Sequence, residues 1–164
     1  MNEIYEKISE LSRQIVKLCT EHGIKVATAE SCTGGMISAA ITSVPGSSAV
    51  IELGVCSYSN RIKREVLGVS VQTLEELTEY SCNCVEEMAE GVLRLSGADF
   101  AVSTSGLAGP SGGTEDDPVG TVYICVCSAN KSISERFEFP DTGRDKIRAA
   151  ATKKALEILL DTIQ

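Results

Sequence analysis

The chain has 164 residues, 43% of them apolar, with 15 Lys+Arg against 23 Asp+Glu, seven Cys, a single His and no Trp. That length is one domain with a sizeable core, and a net charge of −8 without a basic cluster excludes a nucleic-acid-binding module, which needs grouped cations. Four Tyr and three Phe are too few for base-stacking platforms, and the lone His22 leaves a Ser-His-Asp or Cys-His mechanism only one candidate base.

From Ile4, the apolar positions Ile8, Leu11, Ile15 and Leu18 recur at helical spacing and Gly23 follows as a stop, which predicts a helix from Asn2 to His22. His22 then sits in the last turn, where the macrodipole favours it, and this weakens it as a catalyst. The run Ile24 to Ala29 is short, β-branched and bounded, as in a buried strand. Glu30-Ser31-Cys32-Thr33-Gly34-Gly35 turns the chain into a helix over Met36 to Thr42, and the loop Val44-Pro45-Gly46-Ser47-Ser48 precedes a second strand, Val50 to Tyr58. Asn60 is placed to cap a short helix that Gly68 stops, another helix begins near Thr73, and a longer one runs from Asn83 to Leu95. Phe100 to Thr104 is a third strand. Ser105 to Gly120 holds five of the 14 glycines, two of the four prolines and an acidic triplet, the composition of a long functional or disordered loop. Thr121 to Ala129 and Ser132 to Phe139 pair as a hairpin through Asn130-Lys131, and Asp141-Thr142-Gly143 opens a last helix with Ile147, Ala151, Ala155, Ile158 and Leu159 on one face. This order predicts an α/β fold: a three-layer α/β/α sandwich with a mixed, largely parallel sheet of about five strands, one of them antiparallel, in a single domain over residues 1–164.

No charged leader followed by an apolar run and no stretch of membrane-spanning length is present, so a soluble, cytoplasmic protein is expected. The odd number of cysteines, without a CxxC pair, reads as reduced thiols rather than a disulfide framework or a metal site.

Three constellations could carry chemistry. In Glu30 to Gly35, Gly34 and Gly35 let the backbone approach a ligand, the following helix start offers amides, and Ser31 stands where a nucleophile is presented at a sheet edge. The simpler reading is that Ser31 or Thr33 only caps a helix. In Tyr58-Ser59-Asn60-Arg61-Ile62-Lys63, a partly desolvated Lys63 near Ser31 could take the serine proton, the most economical base once histidine is nearly excluded; most lysines, however, are solvated surface groups. In Ser105-Gly106-Leu107-Ala108-Gly109-Pro110, a glycine-dense loop follows a strand and could wrap a carbonyl or phosphate, while Glu115-Asp116-Asp117 beyond it could attract a cation or simply be a solvated turn. Arg144, Lys146 and Arg148 surround the start of the last helix, where one could reach a substrate phosphate.

Taken together, Thr28-Ala29-Glu30-Ser31-Cys32-Thr33-Gly34-Gly35, Pro45-Gly46-Ser47-Ser48, Tyr58-Ser59-Asn60 with Lys63, Ser105 to Pro110 with Gly112-Gly113, and Pro118 to Val122 resemble the CinA C-terminal domain family, including its stand-alone nicotinamide-nucleotide amidases. The resemblance covers almost the whole chain. It implies hydrolysis of the carboxamide of nicotinamide mononucleotide to nicotinate mononucleotide and ammonia, with neither metal nor cofactor, within NAD recycling. It also implies the α/β/α fold, Ser31 as nucleophile and Lys63 as general base. With Tyr58 added, these are the expected catalytic residues; Glu30, Cys32, Thr33, Gly34, Gly35, Ser47, Asn60, Ser105, Gly106, Gly109 and Arg144 are the expected substrate-binding ones. The expected partner is a small-molecule nucleotide, with neither nucleic acid nor membrane, and a homodimer is the default assembly. One departure stands out. Where relatives usually read Gly-Ala-Val-Ser, this chain has Glu79-Tyr80-Ser81-Cys82, so Cys82 would put a weakly bonding thiol in place of a hydroxyl. The rival readings are an amidase for another nucleotide-like amide, a thiol mechanism through Cys32, and a non-catalytic partner-binding domain tied to competence or DNA damage.

Overall fold

The computed structural model describes residues 2–164. In chain order the elements are α1 Asn2–His22, β1 Val26–Glu30, α2 Met36–Thr42, a 3-10 turn Ser47–Ala49, β2 Ile51–Cys56, α3 Asn60–Leu67, a π-helical turn Thr73–Leu77, α4 Cys82–Ser96, β3 Phe100–Gly106, β4 Thr121–Ser128, β5 Ser132–Glu138 and α5 Arg144–Ile163. The strand order is β2-β1-β3-β4-β5; β1 is parallel to both β2 and β3, while β4 is antiparallel to β3 and β5. Four strands therefore share one direction and only β4 opposes them, as the sequence pattern predicts. Among the described residues no helix is long and apolar enough to cross a membrane.

Burial explains the layers. The faces of α1, α2 and α5 meet the sheet through Ile15, Ile37, Ile41, Val126, Ile147 and Leu156, all at most 1% exposed. On the other face α4 lays Val85, Met88, Ala89 and Val92 against Ala27, Ala29 and Ala101, small strand residues that let the helix sit close. α3 packs on α4 in that same layer. Gly91 of α4 faces the Leu67 carbonyl at the end of α3, and a Cβ there would overlap it.

Local corrections concern helix ends. α3 is capped by Ser59, whose Oγ accepts from the Ile62 amide at 3.3 Å, and Asn60 is its first residue. The helix expected near Thr73 is a single π-helical turn, and α4 starts at Cys82 behind the cap Ser81. Neither Ser31 nor Thr33 caps α2; its cap residue is Gly35 in the left-handed region at φ 95°, with no side-chain bond of its own.

β1 leads through α2 to β2 on one side and has β3 on the other, so the chain diverges at the carboxyl end of β1. In open α/β sheets such a divergence opens a crevice where ligands bind. Ser31 is the first residue past that end.

Candidate active site

The turn after β1 is built around Glu30, which is 0% exposed. Its carboxylate accepts from Thr33 Oγ1 at 2.7 Å, from the amides of Gly35 and Ile37 at 3.0 Å, and from the amide and hydroxyl of Ser38 at 2.9 and 3.0 Å. A negative group at the start of α2 satisfies amides that would otherwise be orphaned. Glu30 thus holds the turn and has no free face for a substrate. Thr33 is likewise occupied, bonded to Glu30 and to Thr104 Oγ1 at 2.8 Å.

From the other side Arg148 donates to the carbonyls of Cys32 and Thr33, at 3.0 Å each. Gly34 donates to the Ser31 carbonyl at 3.0 Å, which leaves the amides of Cys32 and Thr33 without an acceptor among the described residues. Because a peptide plane sets N–H opposite C=O, fixing the Cys32 carbonyl toward Arg148 directs the Thr33 N–H away from it.

Lys63 reaches this turn from the first half of α3. It is 1% exposed, and its Nζ lies 3.1 Å from Ser31 Oγ, its only hydrogen-bond partner among the described residues. Burial pulls its amine below the usual lysine value, opposed in part by Cys84, Glu79 and Cys32. An ammonium has three donors to satisfy and finds one acceptor here, so both burial and inventory favour the neutral amine. With a lone pair on nitrogen, the same contact can carry the serine proton the other way.

Ser31, Cys32, Tyr58, Asn60, Lys63, Glu79, Tyr80, Gly106, Ala108 and Arg144 line a pocket of about 100 Å³. Arg144, from the first turn of α5, donates to the Gly109 carbonyl at 2.8 Å and to the Tyr58 hydroxyl at 2.7 Å and so spans the rim.

Over residues 8–163 the chain matches the CinA C-terminal domain. The chain belongs to the CinA family. A CinA-like protein of Thermotoga maritima is 46% identical over 155 residues, which are 94% of this chain and 36% of that protein. A CinA-like protein of Shewanella pealeana is 42% identical over 149 residues, 91% of this chain and 35% of that protein. The chain thus spans little more than a third of the length of these curated relatives. Among solved structures, a competence/damage inducible protein from Agrobacterium tumefaciens superposes with a TM-score of 0.94 at 42% identity, covering 96% of both chains. One from Klebsiella pneumoniae gives 0.91 at 35%, covering 95% of this chain and 96% of that one.

Against the CinA-like expectations, the structure brings Ser31, Lys63, Tyr58, Cys32, Asn60, Gly106 and Arg144 together. It does not bring the rest. Ser47 lies beyond α2, which carries the chain back to the other end of the sheet, and its Oγ points to the Thr42 carbonyl at 3.4 Å. Ser105 donates to the Glu79 carbonyl at 2.7 Å, and Gly109, which does not line the pocket, gives its carbonyl to Arg144. Gly34 and Gly35 are turn residues with φ of 60° and 95° and stand behind the pocket wall. The Tyr58 hydroxyl meets Arg144 and forms no hydrogen bond to Ser31 or Lys63.

His22, exposed at the end of α1, precedes β1 and so lies at the opposite edge from Ser31. Cys32 is a poor nucleophile, since burial pushes its thiol up to about 12. The acidic triplet serves as a strap: Asp117 takes hydrogen bonds from Arg136 at 3.1 Å and Tyr123 at 3.0 Å.

Sequence reasoning missed Glu79 and Tyr80 in the pocket and the role of Arg148 behind the turn. Position 79 carried a signal, as the first residue of the stretch that departs from the family pattern, but attention fell on Cys82, which does not line the pocket. Ser57 was also unforeseen. Its amide donates to the Glu30 carbonyl at 2.9 Å, one strand over from Ser31, and its buried hydroxyl has no partner among the described residues.

Proposed function

We propose that the chain is an amidase that hydrolyses the carboxamide of nicotinamide mononucleotide to nicotinate mononucleotide and ammonia. The observation that carries this reading is the 3.1 Å contact between Ser31 Oγ and the buried, singly partnered Lys63 amine. Ser31 Oγ attacks the amide carbon while its proton passes to Lys63 Nζ. The Cys32 and Thr33 amides take the developing oxyanion, since they alone in the turn lack acceptors, and Arg148 holds the peptides that carry them. The C–N bond then breaks, Lys63 returns its proton to the leaving nitrogen, and ammonia departs. Water next attacks the ester on Ser31, gives its proton to Lys63, and the serine leaves with that proton restored.

Arg144 is a cation at the rim whose partners are neutral, the Gly109 carbonyl and the Tyr58 hydroxyl, and a guanidinium free of a carboxylate partner supports a phosphate-bearing amide over a bare one. The seven free thiols suit a reducing compartment, and we assign the reaction to the cytoplasm.

The test is ammonia release from nicotinamide mononucleotide by the wild-type chain, Ser31→Ala and Lys63→Met. Each substitution is expected to lower the rate by about 10³-fold or more, as removing one member of a coupled catalytic pair does. Wild-type rates in both variants would overturn the assignment.

A further inference from the structure

Glu79 and Tyr80 line the pocket from residues 78–81, a short segment held in an unusual conformation. Thr78 has φ 67° and ψ 171°, a region that β-branched residues almost never occupy without being forced. Three bonds hold it there. The Tyr80 amide donates to Thr78 Oγ1 at 3.1 Å, Ser81 Oγ donates to the Thr78 carbonyl at 3.0 Å, and Ser105 Oγ, from the end of β3, donates to the Glu79 carbonyl at 2.7 Å. The outcome is that two consecutive residues, Glu79 and Tyr80, both line the pocket, with Tyr58, 61% exposed and bonded to Arg144 at the rim, as a second phenol in its lining.

A carboxylate beside aromatic rings is the chemistry that holds a flat organic cation, through Coulomb attraction and the negative faces of the rings. An uncharged ring gains only the stacking, and an anionic one is repelled. We propose that Glu79 and Tyr80 make this pocket selective for a carboxamide carried on a positively charged aromatic ring over the same amide on an uncharged ring. The identity of the amide rests on the amidase reading; the charge preference does not.

The arrangement also ties selection to chemistry. The groups that bear on Lys63 are Cys32 from the nucleophile turn, Cys84 from α4 and Glu79 from this segment, and both thiols are pushed up to about 12 by burial. Of the three, Glu79 is the one carboxylic side chain, and its Coulomb effect on Lys63 favours the protonated amine. A cationic ring placed against Glu79 offsets that effect, so the base is released when the right substrate arrives.

The test is calorimetric binding to Ser31→Ala of nicotinamide mononucleotide and of its 1,4-dihydro form, which has the same phosphate and an uncharged ring. This background is expected to prefer the cationic ligand about tenfold, within the range of cation–aromatic and carboxylate contacts. Adding Glu79→Gln, which keeps the backbone bond from Ser105, should shrink the preference to about threefold or less, with thermal melts confirming the fold. Adding Tyr80→Phe should preserve it, because the ring face remains. No preference in the Ser31→Ala background, the same preference with and without Glu79, or no binding of either ligand overturns the proposal. A wild-type chain that releases no ammonia while the Glu79-dependent preference persists upholds the proposal and removes the amidase reading.

Discussion

Glu30 and Lys63 are both fully buried residues of ionisable type, yet their surroundings treat them in opposite ways. The glutamate, at the start of α2, collects five donors; the lysine, in α3, has a single hydroxyl. Burying a charge without partners costs far more than burying one that is matched, so the first group is locked in place by its donors and the second is favoured as the neutral amine. A fold can thus use one kind of interior site to fix a backbone and another to hold an amine against a single hydroxyl.

That contrast can be broken from either side. The largest effect is expected for Glu30→Gln, which sets an amide NH2 against donors and should lower stability by about 2–4 kcal/mol in thermal or denaturant unfolding. A variant as stable as wild type would show that the five bonds are dispensable. A smaller effect of opposite sign is expected for Lys63→Met. Burial places the folded amine below its ordinary value near 10.5, so between the two values the native state binds fewer protons than the unfolded chain and wild-type stability rises with pH. At pH 7 the methionine variant should therefore melt at or above the wild-type temperature, with the gap closing as pH rises toward 10.5. A methionine variant less stable than wild type by the same margin at every pH would contradict the account. The smallest effect is expected for Cys82→Ser. Because position 82 is outside the pocket, ammonia release should change by about twofold at most; a larger gain would restore importance to the missing hydroxyl.

The layers were legible because periodicity reports burial directly. The strand at Val26–Glu30, the amphipathic α1 and the terminal hairpin follow from spacing and turn chemistry alone. Ser31 and Lys63 were legible for a different reason, since a strand end and a helix start 32 residues apart both project toward the crevice at the carboxyl edge. What the sequence hid was the direction in which groups spend their bonds. Glu30 looked like a binding residue and is a helix-start ligand; Ser47 lies in a motif near Ser31 in sequence, but α2 carries it to the far end. Glu79 was hidden because its placement depends on a strained Thr78 and a tether from Ser105, neither of which has a local pattern.

The contact between Gly91 and the Leu67 carbonyl acts as a spacer shim between two helices. Leu67 is about one helical turn beyond Lys63, so the close approach of the two helices at Gly91 bears on the helix that carries the amine. Alanine has the better helix propensity at such a position, yet its added carbon would overlap the Leu67 carbonyl and one of the two helices would have to shift. The packing of α3, and with it the place of Lys63, thus depends on a residue of the helical layer that does not line the pocket.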